Sequence, residues 1–203
     1  MNRQNTILLL AIAVIIIAGT GLAVPWLLSG AQPTSQSSGT ALVGGPFELT
    51  DQNGKRVTDR DFRGKFMLVY FGYTFCPDVC PTELQSMTAA VSELGEDAKR
   101  VQPIFITIDP ERDTVEQMRT YVSNFGAGLI GLTGSTEDIV KAAQAYRIYF
   151  AKVKDESSSA EYLMDHTSLV FLMDEKGQFR RVFSYGTDAE TMAKGIREEL
   201  EKS

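Results

Sequence analysis

The stretch FMLVYFGYTFCPDVCPTEL, residues 66–84, joins two kinds of local order across a pair of cysteines. Residues 66–73 form an unbroken apolar and aromatic run, the pattern of a strand buried on both faces. Pro81 then opens PTELQSMTAAVSELGEDAKR (81–100), in which Leu84, Met87, Val91 and Leu94 recur at helical spacing. Proline suits a first helical turn, because the N–H it lacks would have had no partner there. With the helix beginning near Cys80, Cys76 lies on the loop just before its N-terminus, where free amides and the helix dipole favour thiolate over thiol. Cys76 and Cys80 are the only cysteines in the chain. Their spacing of i and i+4 lets both sulfurs point to one side of a helical turn. At this stage a structural disulfide, thiol–disulfide exchange and metal binding all remain open.

Outward from this centre, strand and helix patterns alternate. FELTD and KRVT flank Gln52-Asn53-Gly54, a hairpin signal. VQPIFITID (101–109) reads as the next strand and TVEQMRTYVSNFG (114–126) as a helix stopped by Gly126. STEDIVKAAQAYRI (135–148) reads as a helix opened by Ser135, with Asp138 three residues on, close to a capping pair. YFAKVK (149–154) and TSLVFLMD (167–174) read as strands, EKGQ as a turn, RRVFSYG (180–186) as a return strand and DAETMAKGIREELEK (188–202) as the closing helix. The expected fold class is α/β: a sandwich with a central mixed sheet flanked by helices.

The 203 residues suit one sizeable domain plus an appendage. Hydrophobic content of 43% and charged content of 23% are those of an ordinary globular protein. The net charge is −6; the first 30 residues carry only Arg3, so the remainder stands at −7. Such a domain repels a phosphate backbone, and no nucleic-acid partner is expected.

Residues 7–28 form an uncharged run of 22, and about 20 suffice to span a bilayer as a helix. This run exceeds the apolar core of a typical cleavable signal and is expected to be one N-terminal transmembrane anchor. Arg3 precedes it and no Lys or Arg follows before Lys55, which places residues 1–6 in the cytoplasm and the domain on the far side. No Arg- and Ser-rich transit peptide precedes the anchor, which points to a bacterial inner membrane with the domain facing the periplasm. Residues 29–45, rich in Ser, Gly and Thr, read as a flexible tether, and 46–203 as the folded domain.

His166 is the only histidine. It stands just before the 167–174 strand, and Asp165 beside it is a candidate to orient its ring. Two thiolates and one imidazole would form a copper set: soft sulfur selects Cu(I), and imidazole with thiolate also suits Cu(II). Spacing alone does not bring His166 to the cysteines.

FGYTFCPDVCP, TIDPERDT and YLMDHTSLVFLMD, in that order, closely resemble the Sco/SenC family of copper-binding, thioredoxin-like proteins. The resemblance runs from about residue 44 to the end of the chain, and anchor plus tether match it too. It implies a thioredoxin-like sandwich, with Cys76, Cys80 and His166 as copper ligands. It also implies a role in assembling the dinuclear copper centre of cytochrome c oxidase. The partners implied are the copper-accepting oxidase subunit and other periplasmic copper chaperones or thiol reductases. The alternative function is a thiol–disulfide oxidoreductase that uses Cys76 and Cys80 to reduce the acceptor's cysteines. Asp78, between the cysteines, is a candidate to tune the site, and Met164 is a soft neighbour more at home in a core. Asp109, Pro110, Arg112 and Asp113 match a family loop expected to support the site or meet a partner. Val115 departs from the family, where proline commonly opens the next helix. Generic thioredoxins place a proline opposite their cysteines, but the last proline here is Pro110, and His166-Thr167 occupies that place.

Overall fold

Strand β3 (Phe66–Gly72) is buried along its whole length, as its unbroken apolar run requires. The structure, a computed structural model, describes residues 43–126, 128–154 and 161–203. The expected cytoplasmic segment, the anchor at 7–28 and the tether up to residue 42 lie outside these. Among the described residues no helix is long and apolar enough to cross a membrane. Val43 packs against the core, and the Gly44 amide donates to the Ala145 carbonyl at 2.9 Å, so this last part of the tether segment is held on the domain.

The described elements run β1 (Glu48–Asp51), β2 (Arg56–Thr58), β3, α1 (Val79–Glu93), β4 (Val101–Thr107), α2 (Val115–Val122), β5 (Ile130–Thr133), α3 (Thr136–Ala145), β6 (Phe150–Val153), β7 (Leu163–His166), β8 (Leu169–Met173), β9 (Phe179–Ser184) and α4 (Ala189–Leu200). Seven strands form one mixed sheet in the order β2-β1-β5-β4-β3-β8-β9. β3, β4 and β5 are parallel, joined through α1 and α2, whereas β8 runs antiparallel to β3 and β1 antiparallel to β5. Alternation along β3 sends Phe71 to one face, where Tyr146 at the end of α3 meets it and Phe171. Tyr70 and Gly72 face the other way, toward the Cys80 sulfur. α4 packs on α1. Helices thus cover both faces of the mixed sheet, as expected.

Several local readings change. α1 starts at Val79, two residues before Pro81, which puts Cys80 inside the first turn. It stops at Glu93 because Gly95 takes a positive φ of 62°, and a 3₁₀ turn over Gly95–Arg100 replaces the expected last turns. α2 ends at Val122, short of Gly126. The Ser135 hydroxyl does accept from the Asp138 amide and caps α3. β5 carried no strand reading in the sequence; four residues including Gly131 are too short to show a period. β7 went unread as well, so His166 ends a strand of its own instead of standing just before one. Among the described residues β6 and β7 pair only with each other, as a separate two-stranded sheet.

A buried carboxylate locks the site end of the sheet. Asp113 accepts from the Thr74 amide at 3.0 Å, from the Thr74 hydroxyl at 2.6 Å and from the Thr107 hydroxyl at 2.6 Å. Its own carbonyl accepts from the Thr133 hydroxyl at 2.7 Å. The end of β4, the end of β5 and the loop leaving β3 are thereby tied to one residue. Burial pushes this carboxyl above the usual carboxylate range, against the pull of its three donors. Asp113→Ala leaves buried donors without an acceptor and is expected to destabilise the domain by roughly 2–4 kcal/mol, read from the urea midpoint.

Candidate metal centre

The C-terminal ends of β3 and β4 open onto the N-terminus of α1, the crevice where parallel α/β sheets commonly place a site. Cys76 lies half-buried on the loop after β3, and its sulfur accepts from the Cys80 amide at 3.3 Å. Cys80 is fully buried in the first turn of α1. Its sulfur lies 3.5 Å from His166 Nε2. The structure therefore brings Cys76, Cys80 and His166 together, across 86 residues of chain.

The two thiols are not alike. A hydrogen bond from the Cys80 thiol holds Cys76 well below the usual thiol range. The amides of Cys80 and Asp78 add to this, and burial opposes it. The same bond, with burial and the Cys76 charge behind it, pushes Cys80 well above that range. At neutral pH the pair is one thiolate beside one thiol.

His166 is held in a definite tautomer. Its Nδ1 lies 3.0 Å from the Thr167 carbonyl, which can only accept, so Nδ1 carries the proton and Nε2 faces the Cys80 sulfur with a lone pair. Tyr73 and Tyr70 meet the ring edge-on, with centroids 6.0 and 6.3 Å away. Asp165 does not orient it. Side chains alternate along β7, so Met164 turns inward while Asp165 is exposed on the opposite face from His166. The orienting acceptor is a backbone carbonyl that no residue-type signal marks. Asp78 is exposed at the start of α1, makes no side-chain cap, and reaches Cys76 only through its amide.

Two further residues shape the site. A Cβ built on Gly72 would come within 2.8 Å of the Cys80 sulfur and 3.0 Å of Phe105. Glycine here makes room for the sulfur; a lone glycine inside an apolar strand pattern is the signal that could have revealed it. Met164 is nearly buried in the core and also lines the cleft. That cleft, of about 500 Å³, opens the site to solvent between Tyr73, Cys76, Pro77, His166 and Tyr185.

Among the described residues no three His, Cys, Asp or Glu side chains are already closed around one point. The sulfurs and the ring instead lie at hydrogen-bonding distances from one another. Metal–sulfur contacts of about 2.3 Å and metal–nitrogen contacts of about 2.0 Å, the values for zinc, put sulfur and nitrogen about 3.5 Å apart at a tetrahedral angle. The Cys80–His166 separation suits a shared ion.

A sequence model of the SCO1/SenC family matches residues 35–201. The chain belongs to the SCO1/SenC family. It is 42% identical over 165 residues to "Protein SCO1 homolog 1, mitochondrial" of Arabidopsis thaliana, covering 81% of this chain and 49% of that protein. It is 38% identical over 168 residues to "Protein SCO2, mitochondrial" of Saccharomyces cerevisiae, covering 82% and 56%. The chain thus matches about half the length of these curated relatives. Among solved structures, Arabidopsis thaliana ScoI "with copper bound" superposes with a TM-score of 0.75 at 41% identity, over 79% of this chain and 99% of that one. Bradyrhizobium japonicum ScoI "with copper bound" gives 0.70 at 46%, over 77% and 98%. The thioredoxin-like sandwich expected from the SCO1/SenC resemblance is the fold observed.

Two outcomes follow from the site. Gly72→Ala must displace the Cys80 sulfur or the strand, and is expected to cost about 1–3 kcal/mol in urea unfolding. The thiol pair also sets a pH dependence. Below the ordinary cysteine pKa of about 8.5, the unfolded chain holds a proton on Cys76 that the native chain has released, so stability falls on acidification toward the native Cys76 value. Above about 8.5, the unfolded chain ionises Cys80 while the native chain does not, so stability falls again. Reduced protein is expected to be most stable near that pH in urea titrations, and Cys76→Ser should flatten the acid side.

Proposed function

We propose that this protein is a membrane-tethered copper chaperone. In this reading Cys76, Cys80 and His166 bind copper as Cu(I) or Cu(II) and pass it to the copper-accepting subunit of cytochrome c oxidase, helping to build its dinuclear centre. The observation that carries the reading is the placement of His166. A structural disulfide needs no imidazole and an exchanger can work with its two thiols alone, whereas a three-donor metal site requires one, and His166 sets Nε2 3.5 Å from the buried Cys80 sulfur. The donor set fits copper, since soft sulfur favours Cu(I) and thiolate with imidazole accommodates Cu(II). Relatives whose structures carry copper support the assignment. The run at 7–28 would anchor the chain in a bacterial inner membrane, with the domain facing the periplasm near a membrane-embedded acceptor.

This chain's residues prepare the site before metal arrives. Cys76 is already a thiolate, and the Thr167 carbonyl has fixed the ring so that Nε2 is free. The proton left to displace is the one on Cys80. Binding is therefore expected to release about one proton per copper at pH 7, measurable by titration in buffers of different ionisation enthalpy. The cleft leaves one side of the site open, so an acceptor's thiolate can approach without first removing a ligand.

The thiolate–thiol asymmetry favours a second reading, a thiol–disulfide oxidoreductase in which Cys76 attacks an acceptor's disulfide and Cys80 resolves the mixed disulfide. The two are compatible, since reduced acceptor cysteines are the ones that take copper. An anaerobic copper titration of the reduced full chain in mild detergent, beside His166→Ala and Cys80→Ser, separates them. One copper per chain, weakened by both substitutions and accompanied in the Cu(II) form by visible sulfur-to-copper absorption, is expected. Stoichiometric binding indifferent to His166→Ala removes the histidine from the site. No specific binding with a readily cycled disulfide leaves the oxidoreductase.

A further inference from the structure

The hairpin that ends in His166 shares no ladder with the main sheet, so the place of the imidazole depends on what ties the hairpin down. Met164 contributes a buried side chain and an amide bonded to the Tyr73 hydroxyl. Phe150 and Tyr162 pack against the core, Ser168 just beyond His166 bonds the Tyr70 hydroxyl at 3.1 Å, and a further tie is a guanidinium. Arg112, on the loop after β4, directs Nε to Asp109 Oδ2 and Nη1 to the Tyr162 carbonyl at 3.0 Å. The Tyr162 hydroxyl closes the circuit by donating to Asp109 Oδ1 at 2.9 Å. Asp109 is 1% exposed and the Arg112 side chain 18%. The other hairpin ion pair, Lys152 with Glu111, is 45% and 59% exposed and contributes little by comparison.

The same guanidinium reaches the cysteine side. It lies 3.7 Å from the centroid of the Tyr162 ring, 4.8 Å from Phe75 and 5.8 Å from Tyr73. Phe75 precedes Cys76 directly, and Tyr73 stands edge-on to the His166 ring. One cation therefore touches the segment that supplies a thiolate and the hairpin that supplies the imidazole. Among the described residues its Nη2 is buried with no hydrogen-bond partner, so aromatic faces are what compensate that edge. If only adhesion were needed, an apolar contact would serve as well or better, because burying charge is costly. What a planar fork adds is direction: it fixes an angle as well as a distance between a carboxylate and a carbonyl.

We propose that Arg112, forked between Asp109 and Tyr162, is a positioning residue that aims His166 at the cysteine pair and so sets the strength of the metal site. This rests on the copper-binding reading above. The sequence pointed to this loop as support or partner contact; the geometry gives its arginine a specific task toward the site.

The test is a double-mutant cycle on the full chain in mild detergent. Copper affinity is measured by chelator competition for wild type, Arg112→Ala, His166→Ala and the double variant. Removing an outer contact that orients a metal-bound histidine typically weakens binding about 10–100-fold. That loss is expected for Arg112→Ala when His166 is present, and it should vanish in the His166→Ala background. An equal loss in both backgrounds, or none in either, overturns the proposal. A metal-free readout keeps it separate from the copper reading. With His166 the only histidine, its ring nitrogens give unambiguous NMR signals. Wild type should show the single tautomer protonated on Nδ1, and Arg112→Ala a mixture of tautomers. If wild type binds no copper the chaperone reading falls, and the ring signals still decide the role of Arg112: a single wild-type tautomer in Arg112→Ala overturns it. Should Arg112→Ala fail to fold, Tyr162→Phe removes only the hydroxyl-to-Asp109 bond. A smaller effect of the same pattern supports the proposal, and its absence overturns it.

Discussion

The close seating of the Cys80 sulfur against Gly72 joins the centre of the sheet to the chemistry. β3 is buried from end to end between β4 and β8. Its last residue lacks the side chain that would otherwise occupy the space of the sulfur. The first turn of α1 can then descend onto the strand end, with Cys80 inside and Cys76 at the helix mouth. Asp113 fixes the same corner from the side by holding Thr74 and the ends of β4 and β5. The position of the dithiol is thus a consequence of core packing and of one buried hydrogen-bonded carboxylate.

From that seating the electrostatics follow. A half-buried sulfur in front of free helix amides and a fully buried sulfur one turn on cannot have equal acidities. The outer one gains donors and the inner one loses water. This asymmetry serves disulfide exchange and metal binding alike, which is why the cysteine pair by itself does not name a function. On the copper reading, His166 breaks the tie. Its proton is committed to a backbone carbonyl, and its free nitrogen is turned toward the sulfur that still holds a proton.

Much of this could be read from sequence, and the failures have physical reasons. β3 declared itself because a strand buried on both faces has no polar alternation, and the start of α1 was marked by a proline tolerated only in a first turn. β5 could not declare itself: four residues with Gly131 among them carry no period, and the strand exists because β1 and β4 offer it ladders on both sides. β7 was hidden by the apolar run that follows it. Missing it misplaced Asp165, since only the alternation within a strand sends that carboxylate to the side away from His166. The meeting of His166 with the cysteines is non-local, and no spacing rule could supply it; family resemblance did. The role of Gly72 is legible as a lone glycine inside an apolar strand run.

The cysteine pair and the histidine rest on different footings. Cys76 and Cys80 are held by the main sheet and the helix it carries, where the neighbouring core residues Tyr70, Phe71 and Phe105 are 0% exposed. His166 comes from a two-stranded hairpin attached by the buried Met164, by Phe150 packed on the core, and by a circuit of polar and aromatic contacts around Arg112. On the chaperone reading this division has a use. A carrier must hold its metal firmly enough to select it and must also give it up. Withdrawing an imidazole on a separately held hairpin would disturb far less buried surface than withdrawing either cysteine. Affinity would then rest mainly with the rigid dithiol, and the ease of exchange with the hairpin and whatever holds it down.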